Sequence, residues 1–417
     1  MNRWLDRLAR RGVRRGRLEV TWADGTVSEY GDGKGHFARV AFRDPVAERA
    51  VLRNPELAIG EAYMDGGIAF PDGSLLPFLL LLNDAWEDFR KLPIYALVRR
   101  LHFLTRRLAQ NNTLAKARRN VARHYDLDGR VYRLFLDSDM QYSCGYFERP
   151  GADLEEAQWA KKRHLASKLA LEPGNDVLDI GSGWGGLGLF LAEYFDVNVT
   201  GVTLSTEQHG ISNQRAHERG LSDKARFELK DYRSLATQFD RIVSVGMFEH
   251  VGAHRYGEFF NTVARLLKPD GTMLLHSIGR FGPPTTTNPW IAKYIFPGGY
   301  IPALSEVLKA VERSGLLVAD IEILRLHYAE TLKAWRERFH AHWDEAADIY
   351  DERFCRMWDF YLAGSEAAFR NGDMMNFQLQ LVRDRSSLPI TRDYMRMAEE
   401  AFQRANEQPE SLRLAGE

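Results

Sequence analysis

An apolar run, Val177-Leu178-Asp179-Ile180, leads directly into Gly181-Ser182-Gly183-Trp184-Gly185-Gly186. A buried strand that breaks into alternating glycines and then restarts as a helix near Leu187 is a place where backbone can approach a ligand closely, because no side chain stands in the way. A plain strand-to-helix turn needs one glycine, not three in alternation. Asp179 sits immediately before the first glycine, so a carboxylate faces whatever the loop holds.

Gly181-x-Gly183-x-x-Gly186 also fits a dinucleotide fingerprint. Two features argue against NAD. A carboxylate at Asp179 would confront a pyrophosphate, whereas the sulfonium nucleoside S-adenosylmethionine has no phosphate. The fingerprint also requires an acidic residue about 20 positions on, at the end of the second strand. This chain has Val202-Thr203-Leu204-Ser205 there. S-adenosylmethionine is the better fit and NAD the runner-up. Asp231, after the third strand, is placed to meet the adenine; its other reading is a helix N-cap.

The elements that must position this loop read as an α/β fold. Apolar runs alternate with helical patterns, as a mostly parallel sheet requires. The expected strands are 176–180, 197–202, 226–229, 241–245 and 271–277, with a helix over 256–267 closed by Lys268-Pro269-Asp270-Gly271. A length of 417 residues favours two domains. Residues 1–90 read as a smaller N-terminal α/β module, with Val20-Thr21-Trp22 as a strand, Asp24-Gly25 as a turn and 75–86 as a buried helix. Residues 91–123 read as a basic helical linker, 124–400 as the larger, Rossmann-like domain, and 401–417 as a tail.

The formal net charge of −1 says nothing about partners, but its distribution does. Arginines crowd residues 3–17, and no Asp or Glu occurs from Lys91 to Tyr125. Two cysteines, Cys144 and Cys355, form neither a disulfide framework nor a zinc cluster and suit a reducing cytoplasm. The start lacks the apolar core of a secretory signal, and the most apolar run, 75–82, falls short of the ~20 residues that span a bilayer. The chain is expected to lie on a membrane, not to cross it, and to bind no nucleic acid.

Several segments together carry a narrower resemblance: His124-Tyr125-Asp126-Leu127, Tyr132 to Phe147 (YRLFLDSDMQYSCGYF), the glycine loop, and Gly201-Val202-Thr203-Leu204-Ser205-x-x-Gln208. Phe248-Glu249-His250-Val251-Gly252, Leu275-His276-Ser277-Ile278, Tyr294 to Pro302 (YIFPGGYIP) and His327-Tyr328-Ala329-x-Thr331-Leu332 follow in order. Over residues 120–385 the chain resembles the cyclopropane-fatty-acyl-phospholipid synthase and mycolic acid cyclopropane synthase family, class I S-adenosylmethionine-dependent methyltransferases. The resemblance implies transfer of a one-carbon unit to the cis double bond of an unsaturated acyl chain. It implies bound bicarbonate held by Cys144, Glu249, His276, Tyr328 and the backbone of Ile278, with Glu249 accepting the anion's proton and orienting His276. It also implies cofactor contacts from Tyr142, Ser143, Leu178, Asp179, Gly181, Ser182, Gly183, Trp184, Gly185, Thr203, Leu204, Ser205, Gln208, Asp231 and Tyr232.

These residue types suit the reaction. An alkene is a weak nucleophile, so positioning must supply much of the rate. Attack leaves a carbocation that water would trap, so the site must be dry, and aromatic faces can stabilise the charge. A base must then remove a proton from the transferred methyl, and a small anion avoids alkylating the protein. Singly, Cys144 reads as an apolar filler, His276 as a satisfied core histidine, Glu249 as a cap and Tyr328 as an interface aromatic. Some family members carry a late cysteine with an ascribed active-site role; the matching position is Ser365, and Cys355 does not align.

Residues 283–304 interrupt the α/β rhythm with Trp290, Ile291, Tyr294, Ile295, Phe296 and Tyr300 and read as an acyl-tunnel wall. The basic segment and the arginine-rich start suit an anionic phospholipid surface at the inner membrane face. An N-terminal module resembles the phospholipid-acting members, whose longer forms imply a homodimer. Three other readings compete: a fatty acyl C-methyltransferase giving a methyl-branched or methylene product, a silent lipid-binding protein, and an NAD-dependent oxidoreductase.

Overall fold

The computed structural model describes residues 1–90 and 129–406, with side chains from 86 to 90 left aside. The expected linker over 91–123, the segment His124–Leu127 and residues 407–417 of the tail lie outside the described residues.

The larger sheet has seven strands: β5 (Asp176–Ile180), β6 (Asn198–Thr203), β7 (Ala225–Leu229), β8 (Phe239–Val245), β9 (Leu267–Arg280), β10 (Leu317–Ile323) and β11 (Met374–Val382). Their order is β10-β11-β9-β8-β5-β6-β7. Neighbouring strands from β7 through β9 are parallel, and β11 inserts antiparallel between β9 and β10. Helices cover both faces, and strands buried on both sides read as nearly continuous apolar runs. The five expected strands match β5 to β9. The 256–267 helix is present as Tyr256–Leu266, and β9 begins at once at Leu267 instead of after Gly271.

β10 and β11 were not anticipated. β11 alternates Asn376, Gln378 and Gln380 with Phe377, Leu379 and Leu381, a pattern that suggests one solvated face. All six are buried. The amide face packs toward the helix Leu154–Leu169, which buries Lys161, Lys162, Arg163, His164 and Lys168 among polar partners. A capping box at Asp153 and Glu156 starts that helix.

The N-terminal sheet orders β2 (Val27–Tyr30), β1 (Arg17–Thr21), β3 (Phe37–Phe42) and β4 (Ile68–Ala69). The expected turn lies at Gly25, whose φ of 83° suits glycine. The helix Leu75–Arg90 packs Phe78 and Leu81 onto the sheet core of Leu18, Val20, Trp22, Val40 and Phe42. Its Leu80 carbonyl and Asp84 carboxylate accept from Asn371 Nδ2 at 3.0 and 2.9 Å, which ties this sheet to the larger one. A second tie joins Tyr63 to Asp359 at 2.8 Å. Among the described residues no helix is long and apolar enough to cross a membrane.

Candidate active site

The end of β5 delivers Asp179 and Ile180 into the glycine loop, and the helix Gly186–Tyr194 leaves it. Gly181 has φ of 83°, and a Cβ there would lie 2.7 Å from Met247 Cβ. A Cβ on Gly186 would meet Gln141 Nε2 at 2.3 Å. Close neighbours therefore favour glycine at both positions, and at Gly181 the backbone conformation does too. It opens on a cleft of about 170 Å³ lined by Tyr142, Ser143, Asp179, Gly181, Ser182, Gly183, Trp184, Thr203, Leu204, Gln208, Asp231 and Tyr232.

Three expected contacts are not on this wall. Leu178 is buried in the core between the sheet and its helices. Gly185 backs onto Phe227 and Ser212, where a Cβ would come within 2.8 Å of each. Ser205 caps the helix Thr206–Glu218 by accepting from the Gln208 N–H. These residues shape the loop from behind. Asp231 caps the short turn Tyr232–Ser234, as one of its two readings expects, and it also lines the cleft and takes Arg233 in a two-pronged pair at 2.8 and 2.7 Å.

A strap over residues 137–146 closes the cleft. Asp137 accepts the Gln141 N–H at 2.7 Å, and Gln158 donates to the Ser143 carbonyl at 2.9 Å. Lys161, wholly buried, donates to Gln141 Oε1 at 2.6 Å and to Ser143 Oγ at 2.8 Å. Burial brings its pKa down to about 8. Neither Gln158 nor Lys161 was singled out in the sequence; both belong to a helix whose charges resemble a solvated face.

A second chamber of about 90 Å³ shares Tyr142, Ser143, Gly246 and His250 with the cleft. Its walls bring together all five residues expected to hold the anion: Cys144, Glu249, His276, Ile278 and Tyr328. Thr287, Ile291, Phe296, Gly299, Tyr300 and Ile301 of the 283–304 insert form another side. Tyr361 and Asn376 complete it and were missed; the first belongs to a long amphipathic helix, the second to the unanticipated β11.

The chamber is lined mostly by apolar atoms and is polar in only a few places. Glu249 Oε2, His276 Nε2 and Asn376 Oδ1 are buried without a partner among the described residues. Burial raises Glu249 to about 7 and drives His276 well below its ordinary value, so the imidazole is neutral. Burial likewise lowers His250 to about 4. The Cys144 thiol is pushed far up by burial and donates to the Gly145 carbonyl at 3.3 Å. It is a neutral thiol, not a nucleophile.

Two details correct the expectations. The Ile278 N–H donates to Glu249 Oε1 at 2.6 Å, so in this structure that amide serves the carboxylate. The residue hydrogen-bonded to His276 Nδ1 is Gln378, at 3.2 Å, and not Glu249. Ser365 lines neither cavity; Tyr361, one turn earlier on the same helix, does.

Aromatic rings surround the junction of cleft and chamber. The Tyr142 and Tyr361 hydroxyls meet at 3.0 Å, and Tyr142 stacks on Trp335 with centroids 5.2 Å apart. Phe296 meets Tyr361 edge-on at 5.9 Å.

A family model described as mycolic acid cyclopropane synthetase matches residues 112–379, more than half of the chain. The chain belongs to this family. It is an S-adenosylmethionine-dependent methyltransferase of the cyclopropane synthase type. Cyclopropane-fatty-acyl-phospholipid synthase of Escherichia coli is 40% identical over 346 residues, 83% of this chain and 88% of that protein. Tuberculostearic acid methyltransferase UfaA1 of Mycobacterium tuberculosis is 34% identical over 398 residues, 91% of each. The solved mycolic acid cyclopropane synthase CmaA1, complexed with SAH and CTAB, superposes with a TM-score of 0.61 at 36% identity, covering 63% of this synthetase-family chain and 97% of that one. A second model, for a domain of unknown function, matches residues 11–85. Membership of the methyltransferase family displaces the nicotinamide and silent lipid-binding readings.

Proposed function

We propose that this enzyme adds a methylene group to the cis double bond of an unsaturated acyl chain of membrane phospholipid, closing a cyclopropane ring. The observation that carries this reading is the shared wall: the chamber of Cys144, Glu249, His276, Ile278 and Tyr328 adjoins the glycine-loop cleft, and Tyr142, Ser143, Gly246 and His250 line both. A methyl donor and a proton acceptor belong on either side of such a junction.

S-adenosylmethionine fits the cleft. The glycine backbone leaves room for it, and Asp179 Oδ2 and Ser182 Oγ are buried polar atoms without partners among the described residues. Burial raises Asp179 to about 7, a cost that a bound cation relieves. The sulfonium supplies an electrophilic methyl. Gly181, Gly183 and Trp184 would cradle it, and Tyr142 and Ser143 would form the side nearest the acyl chain.

The rings of Tyr142, Tyr361 and Phe296 exclude water and present π faces to a carbocation on the acyl chain. Bicarbonate fits the chamber by donor and acceptor type and would supply a base for the methyl proton. Tyr328 brings a phenol hydroxyl to the chamber wall, and the Cys144 thiol, which donates to the Gly145 carbonyl here, would have to turn to reach the anion. Glu249, with one oxygen held by Ile278 and the other unpaired among the described residues, takes up the proton carried on the anion.

Residues 1–90 serve as a lipid-positioning module. The helix Pro55–Met64 holds Glu61 against Lys293 and Tyr294 of the insert at 2.6 and 2.8 Å, so the module braces the tunnel wall. The helix Arg3–Gly12 leaves Trp4 66% and Leu8 55% exposed, with the Arg7 guanidinium 5.4 Å from the Trp4 ring. Apolar anchors among arginines suit docking on the anionic inner face of a membrane.

The test combines purified protein, S-adenosylmethionine and vesicles of unsaturated phospholipid. Mass spectrometry should show one CH2 gained per modified chain, and proton NMR should show cyclopropane ring protons. No mass gain overturns the reading. A second reading, a methyl-branched or methylene product, is favoured by the match to UfaA1 along nearly the whole chain. The two share the cation, and the same NMR spectrum separates them.

A further inference from the structure

His276 on β9 and Gln378 on β11 are directly opposed in the antiparallel register. Gln378 Nε2 lies 3.2 Å from His276 Nδ1. The other end of the amide, Oε1, accepts from Lys168 Nζ at 2.7 Å. Lys168 is buried, and its ammonium is also bound by the carboxylate of Glu322. Glu322 in turn meets His164 Nε2 at 2.7 Å.

An ammonium can only donate. The oxygen end of the Gln378 amide must therefore face Lys168, since a flipped amide would set donor against donor. That leaves the NH2 end facing the imidazole, where it needs a lone pair. Nδ1 must supply it. A neutral imidazole then carries its single proton on Nε2. His276 Nε2 is the atom left without a partner among the described residues, on a side chain that forms the chamber wall.

We propose that Lys168, acting through Gln378, fixes His276 as the Nε2–H tautomer, so that His276 donates to an anion in the chamber and cannot serve as the base. This rests on the anion reading above and deepens it: neither Gln378 nor Lys168 lines the chamber, and both are positioning residues. The acceptor for the methyl proton must then be something other than this imidazole. Burial, with the Lys161 and Lys168 cations nearby, keeps the ring from taking a second proton.

The deciding measurement needs no altered site. Ring nitrogen NMR of the full chain labelled with 15N-histidine, with the resonance assigned by its loss in His276→Gln, should show Nε2 protonated and Nδ1 as an acceptor. A proton on Nδ1 overturns the proposal. Gln378→Glu places an acceptor beside Nδ1 and should move the proton there; an unchanged tautomer also overturns it. In turnover assays, Gln378→Leu and Lys168→Met should raise the bicarbonate concentration for half-maximal rate about tenfold, with S-adenosylmethionine affinity within about twofold. Unchanged bicarbonate dependence in both variants counts against the relay. If the unsubstituted enzyme ignores bicarbonate, the anion reading fails, and the tautomer alone decides the role of Gln378.

Discussion

Glu249 grips the Ile278 N–H with one oxygen at 2.6 Å and leaves its other oxygen without a partner among the described residues. An amide in its place keeps an oxygen for the Ile278 N–H but cannot take up a proton. Glu249→Gln is therefore expected to bind S-adenosylmethionine within about twofold of the unsubstituted chain while turnover falls roughly 10²–10⁴-fold. Calorimetry and a product assay check the two halves, and full turnover would remove Glu249 from the proton path.

The same carboxyl makes stability depend on pH. Burial raises its pKa from 4.5 to about 7. Between those values the folded chain keeps a proton that the unfolded chain has released, so stability falls as pH rises through the window. Asp179, raised to about 7, acts in the same direction. Glu249→Gln should thus melt higher relative to the unsubstituted chain at pH 8 than at pH 5. An equal difference at both pH values would mean that the carboxyl is not raised.

At the glycine loop, two substitutions differ in cause. A Cβ on Gly183 meets no protein atom within 4 Å, but its φ of 53° strains a β-branched side chain, so Gly183→Val should block S-adenosylmethionine and also lower the melting temperature through backbone strain, not collision. A Cβ on Gly186 collides with Gln141 and Asp139, both already engaged by Lys161 and Lys162. Gly186→Ala should lower melting temperature as well as affinity. Normal affinity in both would place the nucleoside elsewhere.

The ring of Tyr361 matters more than its hydroxyl if it faces a cation. Tyr361→Phe should keep turnover within about threefold, and Tyr361→Leu should lower it roughly tenfold. Mass spectrometry of the lipid should then show a hydrated product, from water reaching the cation. Equal effects of Phe and Leu would assign Tyr361 to packing.

Membrane docking is read on the first helix. Trp4→Ser combined with Arg7→Glu and Arg11→Glu should weaken sedimentation with anionic vesicles on the order of tenfold. Cofactor affinity should be untouched, since none of the three lines the cleft. Unaltered sedimentation would move the docking surface off this helix.

Much of the cofactor cleft was legible because its signals are local. Glycine spacing and the preceding strand announce themselves within a few residues, whereas the Thr203–Gln208 contacts came from the resemblance. The chamber was legible only through resemblance, since Cys144, Glu249, His276 and Tyr328 come from four separate segments that no periodicity links. What stayed hidden has a common cause. Lys161, Lys168 and Gln378 are polar side chains in positions that pattern alone assigns to solvent, and they are buried because each finds a polar partner across the interior; Asn376 is buried beside them with its Oδ1 unpartnered among the described residues. Asp231 shows the converse: its capping reading, a local one, is present in the turn Tyr232–Ser234.

The antiparallel pairing of β9 with β11 sets His276 opposite Gln378 and Ile278 opposite Asn376. Proton handling is thereby written into backbone hydrogen bonding, where a one-residue slip would turn every one of these side chains to the other face. The side on which the proposed acyl chain would lie comes instead from the 283–304 insert and the helix Glu352–Arg370. Such a division lets the product drift by loop exchange while the deprotonation step stays fixed, so variants that trade ring closure for branching are best sought in the loop and not in the sheet.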